Sequence, residues 1–489
     1  MVRRQHPTCP ALVQGNTAQA VPDGGSHALA GCGTNRRSHG GNGRTGGLLK
    51  HRRWLATAAV VCALALVSAA CTKGSSSVIV GSGSSAGGAD CTTVLFDCVQ
   101  VAAGQPITVG TLLAISGVAA SLGTDSQHGV QLAIDNLDGA LDGKMGQLLG
   151  HDVTLQNEDD GCSAAGGRAG AQALASNDQV VGVIGTSCPS SALGVADQIL
   201  SDKGILLISP SNTDPSLTSE AAHQPFSFRT AYNDEIQGAI VSDFVYTKLG
   251  LTSVATINDE SPYAAALAHA FADNFEAAGG TITTSEKIKS AETDFKPLLT
   301  TIALGNPQAL YFPDLNPACA LIAKQAKDIM PSVVLIGSDG CLASDFLKTA
   351  GSAADGVYAS SPDLSVFTSG DFYQGQFLPA YESEFGTEPT SAFHAQAYDA
   401  TNILFEAIKK VAVTNPDGSL TIPRMALKDA LSATSDYQGI TGTITCMPLG
   451  DCATNVTIAV YQAPNWPVDG GNSDSVPVFS ETKSLADVI

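Results

Sequence analysis

Basic residues are scarce. The 489-residue chain holds 25 Lys and Arg against 46 Asp and Glu, a formal charge of −21. Eight of those basic residues but only one acid lie in the first 70 positions, so residues 71–489 carry 17 against 45, formally −28. Such a surface repels nucleic acid, whose phosphates need clustered cations. Catalytic signatures are missing as well: there is no G-x-S-x-G elbow, P-loop, H-E-x-x-H or kinase set. A match to G-x-G-x-x-G at Gly41, Gly43 and Gly46 stands in a polar leader with no strand before it, which excludes it as a nucleotide site. Neither C-x-x-C nor H-x-x-x-H accompanies the cysteines, so they do not read as a zinc site, and no cofactor is expected. Long apolar runs are lacking too. The one near the front, Leu55–Ala70, is short of the roughly 20 residues a membrane helix takes. It comes after the basic cluster Lys50, His51, Arg52 and Arg53, the pattern of a secretory signal.

Ser68-Ala69-Ala70-Cys71 resembles a bacterial lipobox, with Ser68 where a leucine is usual. This implies lipidation of Cys71 as the mature N-terminus and an extracytoplasmic protein anchored to the outer face of the membrane. Residues 1–70 are then leader and signal peptide, and 71–105 the lipidated cysteine with a Gly/Ser-rich spacer of flexible composition. Of the twelve cysteines, Cys9, Cys32 and Cys62 fall in the leader and eight remain in the exported part, an even set that reads as disulfides. Proximity suggests Cys91–Cys98, Cys162–Cys188, Cys319–Cys341 and Cys446–Cys452, although spacing alone does not fix connectivity.

From Pro106 onward, strand-like apolar runs alternate with amphipathic helical patterns. Ile107–Leu113, Val153–Gln156, Val180–Gly185 and Ile205–Ser209 are separated by helices over 129–137, 167–176 and 193–203. A second series begins with a helix at Glu235 and ends with a strand at Val333–Gly337. That rhythm predicts βαβ units in two tandem parallel-sheet lobes, an α/β fold. Further on, a long helix is expected from about Ser391, another over Arg424–Ser432, and a hairpin over 439–462.

The order of these elements, with phrases such as "ITVGTLLAISGVAASLG", "NEDDGCSAAGG", "VVGVIGTSCPSSA", "FSFRTAYNDEIQG" and "VVLIGSDG", resembles the type 1 periplasmic binding proteins. Within them it is similar to the leucine/isoleucine/valine-binding family that serves branched-chain amino acid ABC transporters. The resemblance implies two Rossmann-like lobes joined by three chain crossings, with ligand trapped between them. Carried over, lobe 1 is 106–230 plus 359–440 and lobe 2 is 231–358 plus 441–489.

It also implies a site. The loop after the third strand would give Ser190 and Ser191 to a ligand carboxylate, Cys188 being stapled to Cys162. Ser211 and Thr213 would join from the next loop, and Asp339 would face the ligand ammonium, with the Tyr263 ring covering the ligand. A helix starting near Ser190 would offer unpaired N–H groups to an anion. The competing readings are a helix N-cap for each serine, a turn aspartate before Gly340 for Asp339, and core packing for Tyr263. Pro189 departs from the family's usual serine and has no N–H to give. Leu122 stands where a tyrosine is common; Ser116, Phe393 and Tyr398 are further candidates to line the cleft.

Enzyme readings are weaker. His394 with Cys188 would make a Cys/His pair, and Asp159 with Asp160 a pair of carboxylates, but a disulfide and a solvated strand-end turn are the commoner fates. The expectation is a non-enzymatic, monomeric solute-binding protein that passes a small amino acid or related carboxylate to an ABC permease. The alternative is a ligand-sensing module for amides, urea or aromatic acids that acts through a partner protein.

Overall fold

The computed structural model describes residues 91, 96–289, 291–467 and 475–488. The leader, Cys71 and most of the spacer lie outside the described residues.

Two sheets organise the chain. The first runs, edge to edge, Gln147–Leu148, His151–Asp159, Ile107–Leu113, Val180–Gly185, Leu206–Ser209 and Ser227–Arg229, parallel apart from the short edge strand. The second runs Phe479–Ser484, Asn455–Gln462, Tyr358–Pro362, Val334–Gly337, Ala309–Tyr311, Ser253–Asn258 and Thr281–Lys287; Asn455–Gln462 is antiparallel to both its neighbours and the other pairings are parallel. Strands buried on both faces need continuous apolar sequence, and Val180–Gly185 ("VVGVIG") is buried along its whole length. Helices flank both sheets, as right-handed βα connections require. The helices Ala318–Ile329 and Arg424–Ser432 fall where the apolar periodicity puts them.

The chain passes between the sheets three times. It leaves the first sheet after Arg229, returns after Pro362, and leaves again after Cys452. Two expected boundaries therefore move. Tyr358–Pro362 pairs with Val334–Gly337 and Asn455–Gln462, so it lies in the second sheet. Ile444 and Cys452 pack with the core of the first sheet, so the third crossing falls after 452 rather than at 441. The expected hairpin over 439–462 is also not one element. Gly442–Ile444 pairs backward with Tyr437–Gly439, while Asn455–Gln462 joins the other sheet. The loop between them is closed by Cys446–Cys452, and this break in pairing is invisible to an alternation pattern that continues through both strands.

The four disulfides pair as proximity suggested: Cys91–Cys98, Cys162–Cys188, Cys319–Cys341 and Cys446–Cys452. Beside the crossings lies a buried ion pair. Arg229 Nε donates to Asp451 Oδ1 at 2.6 Å, and its remaining donors reach Asp214 O at 2.8 Å, Asn212 O at 3.3 Å and Thr218 Oγ1 at 2.7 Å. With Arg229 1% exposed, removing the acid strands a buried guanidinium. Asp451→Ala should lower unfolding stability by about 3–5 kcal/mol. Urea denaturation of residues 72–489 checks this, and a loss below about 1 kcal/mol would contradict it.

Candidate functional site

Parallel strands leave their loops at the carboxyl ends, the usual place for a ligand in an open α/β sheet. In both sheets those loops converge on one cleft of about 680 Å³. From the first sheet come Gly161 and Cys162 after His151–Asp159, Ser187–Ser190 after Val180–Gly185, and Ser211 after Leu206–Ser209. Asp259–Tyr263 after Ser253–Asn258, Leu315–Pro317 after Ala309–Tyr311, and Asp339 with Gly340 after Val334–Gly337 face them from the second.

Of the six residues expected to touch a ligand, Ser190, Ser211, Tyr263 and Asp339 line this cleft. Ser191 and Thr213 do not. Ser191 is fully buried with its hydroxyl 3.4 Å from Asp160 O, and Thr213 is buried beside Asp234. Both serines on the cleft wall already use their hydrogens: Ser190 Oγ donates to Cys162 O at 2.9 Å, and Ser211 Oγ to Ser187 O at 2.9 Å. A hydroxyl that has donated can still accept, so holding a carboxylate would require it to rotate away from its carbonyl. Neither Ser190 nor Ser191 makes a side-chain cap bond: Cys188 stands at the N-cap of Pro189–Ser191 and Ser191 at that of Ala192–Ala196, both without one. The expected helix from 193 to 203 is broken, because Leu193 and Gly194 leave helical geometry with Gly194 at φ 63°. Only a turn, Pro189–Ser191, precedes the break, and the Ser191 N–H already bonds Cys188 O at 3.0 Å. The case for a helix N-terminus holding an anion therefore falls.

The loop is held from below by Asp160. Its carboxylate takes the Ser187 N–H at 2.7 Å and the Cys162 N–H at 2.7 Å, fixing both ends of the disulfide loop. It is fully buried rather than in a solvated turn, and burial pushes its carboxyl up to about 6 against the pull of those two N–H groups. Asp159 meanwhile accepts from Ile115 N at 3.1 Å, Gly161 N at 2.9 Å and the Ser116 hydroxyl. The two acids are loop clamps. Cys188 is a disulfide half, and His394 bonds Asp125 through Nδ1 at 3.0 Å and Tyr373 through Nε2 at 2.8 Å, so the Cys/His pair does not form. Leu122 and Phe393 line the cleft; Ser116 and Tyr398 do not, the latter accepting from Asn136 Nδ2 at 2.6 Å.

The second lobe's wall is better prepared. Asp339 Oδ1 accepts from the Tyr263 hydroxyl at 2.9 Å and from Gln237 Nε2 at 2.9 Å, and the Tyr232 hydroxyl approaches the same carboxylate. Tyr263 also contacts Ser338 Oγ at 2.6 Å and receives the Gly340 N–H at 3.2 Å, so its role is to anchor the acid as well as to wall the cleft. Burial raises the Asp339 carboxyl, and the donors from Gln237 and Tyr263 oppose that rise. Among the described residues no Lys, Arg or His lines the cleft or pairs with Asp339. The rim acids Glu260 and Asp345 have lysines, Lys287 at 3.1 Å and Lys348 at 3.2 Å. Gln237 and Tyr232 carry no mark in the sequence: "AYNDEIQG" contains both, but their contacts with Asp339 span about a hundred residues.

The sequence profile of a family described as periplasmic binding protein matches residues 106–463. The Leu/Ile/Val-binding protein BraC3 of Rhizobium johnstonii is 27% identical over 304 residues, 62% of this chain and 79% of its own. Among solved structures, the branched-chain amino acid transporter substrate-binding protein LivJ of Streptococcus pneumoniae, in complex with isoleucine, is 25% identical. It covers 78% of this chain and 100% of its own with a TM-score of 0.64. An ABC transporter solute-binding protein of R. palustris in complex with benzoate shares the fold at 21% identity and TM-score 0.63, covering 78% of this chain and 97% of its own.

Asp160 provides a pH test. Its folded-state pKa is raised, so between roughly pH 4 and 6 the folded protein holds this proton more tightly than the unfolded chain does. Stability contributed by the group should grow as pH falls through about 6 and be lost as pH rises. Denaturation of wild type and Asp160→Asn at pH 7 and pH 5 should show the wild type gaining relative to the variant; a constant difference would contradict it.

Proposed function

Because this chain belongs to the periplasmic binding protein family, we propose that it is an extracytoplasmic solute-binding protein that captures a small amino acid or related carboxylate and delivers it to an ABC permease. The lobes are 106–230 with 363–452 and 231–362 with 453–489, and a lipid on Cys71 holds the monomer to the outer face of the membrane. Among the described residues, no helix is long and apolar enough to cross a membrane.

The observation that carries this reading is Asp339, a carboxylate on the cleft wall surrounded by neutral donors and without a cation. A charge in such surroundings needs a partner, and an ammonium supplies one. The ligand's carboxylate faces the loop of Ser187–Ser190, and Leu122, Leu342 and Phe393 receive the apolar part. Contacts from both lobes favour the closed form by their difference in affinity for the two states, and the permease reads that form. Aromatic acids, urea or short amides sensed through a partner protein have less support, since none brings the positive charge that this wall lacks.

Calorimetry of residues 72–489, refolded to remove carried-over ligand, tests this with leucine, isoleucine, valine, alanine, glutamate, benzoate and urea. One or more amino acids should bind with micromolar affinity or tighter, equivalent to about 8 kcal/mol. Asp339→Ala should weaken that binding by about 3–5 kcal/mol while the variant remains folded. Affinity should also fall on acidification, beginning above the ordinary aspartate value of 3.8 because burial raises this group. Benzoate or urea binding with every amino acid silent would refute the assignment.

A further inference from the structure

Asp339 is held from behind by an amide. Gln237, fully buried in the helix Asp234–Asp243, donates through Nε2 both to Asp339 Oδ1 at 2.9 Å and to Ser360 Oγ at 2.9 Å. Chemistry settles which way the amide points: reversed, it would set Oε1 against a carboxylate oxygen, two acceptors face to face. Both strong donations to Asp339, from Gln237 and from Tyr263, fall on Oδ1. Oδ2 takes neither of these bonds, and its lone pairs face a ligand. Gln237 lies eight residues beyond the end of the first sheet at Arg229, and Ser360 lies two residues before the return crossing at Pro362. One side chain thus ties the acid to two of the three crossings.

We propose that Gln237 is a specificity-determining positioning residue: its two amide donations hold the Asp339 carboxylate in one orientation, so that the cleft selects ligands carrying a cationic nitrogen. The inference rests on the amino acid reading above and adds to it the residue that enforces the preference. A glutamate could not do this work, because it would bring another acid beside Asp339 and Asp234 and lose the amide's two donations. A leucine would fill the space but release Oδ1 to one donor, and the acid would take up a proton more readily.

The titratable groups facing Asp339 are Tyr232 on the first crossing, Asp234 at the start of the helix that carries Gln237, Tyr263 on the helix Pro262–Ala277 and Tyr311 on its strand. The three phenols are raised by burial and stay neutral below pH 9, and Asp234 is present in every variant, so a difference between profiles reports Gln237.

The test is calorimetry of wild type and Gln237→Leu between pH 6 and 9, with leucine, isoleucine, valine, alanine and glutamate, each beside the acid that lacks its amino group. The bound amino acid should lose about 10–100-fold in affinity at pH 7, the loss should shrink as pH rises, and selectivity over the deaminated acid should fall by a similar factor. A residue that merely packs the helix would shift melting without changing the pH profile or that selectivity. If Gln237→Leu does not fold, Ser360→Ala removes the amide's second anchor and should show the same trend at about 3–10-fold. An unchanged affinity and profile in the folded variant overturns the role of Gln237 while leaving the amino acid reading intact. A wild type that binds deaminated acids as tightly as amino acids overturns both.

Discussion

A carboxylate held on a cleft wall among neutral donors, without a cation, needs a partner for its charge, and Asp339 is in that position. Its neighbours donate hydrogen bonds but no charge. On the reading proposed above, a ligand that carries an ammonium supplies the charge this wall lacks. Around this constraint the rest falls into place: two parallel sheets aim their loops at one gap, and the crossings that join them carry Tyr232, Asp234 and Gln237 up against the acid.

The two walls of the cleft are built on different principles. On the first lobe, backbone geometry dominates. Asp160 gathers the Ser187 and Cys162 N–H groups, the Cys162–Cys188 disulfide closes the loop, and the serine hydroxyls are turned to carbonyls. That wall is a shaped, nearly neutral surface. On the second lobe, side chains dominate, and Tyr263 and Gln237 hold one charge in place. A ligand with a carboxylate at one end and an ammonium beside it, as proposed above, matches this asymmetry.

Much of this was legible in the amino-acid sequence, and what was not has a common cause. Periodicity marks elements that bury a continuous face, so Val180–Gly185 and Ala318–Ile329 are read correctly to the residue. The disulfides are legible because each pair lies close in sequence. Asp339 and Tyr263 stand out through family resemblance, and both line the cleft. Failures cluster where a side chain or strand answers to something distant. Asn455–Gln462 alternates like the second half of a hairpin but pairs with Tyr358–Pro362. Ser191 and Thr213 belong to the same loops as the cleft-lining Ser190 and Ser211 yet are buried and do not line the cleft, and Asp160 resembles a turn acid but is buried beneath the loop. Gln237 carries no local signal, since an amide in the middle of an amphipathic helix reads as surface until its partners are known.

The most direct test of the account is a crystal structure of residues 72–489 with the amino acid of highest affinity bound. The ligand nitrogen should lie about 2.7–2.9 Å from an Asp339 carboxylate oxygen, the separation of a charge-assisted hydrogen bond, with the ligand carboxylate toward Ser187–Ser190. A ligand whose nitrogen faces the first lobe, or whose nearest group to Asp339 is apolar, would contradict it.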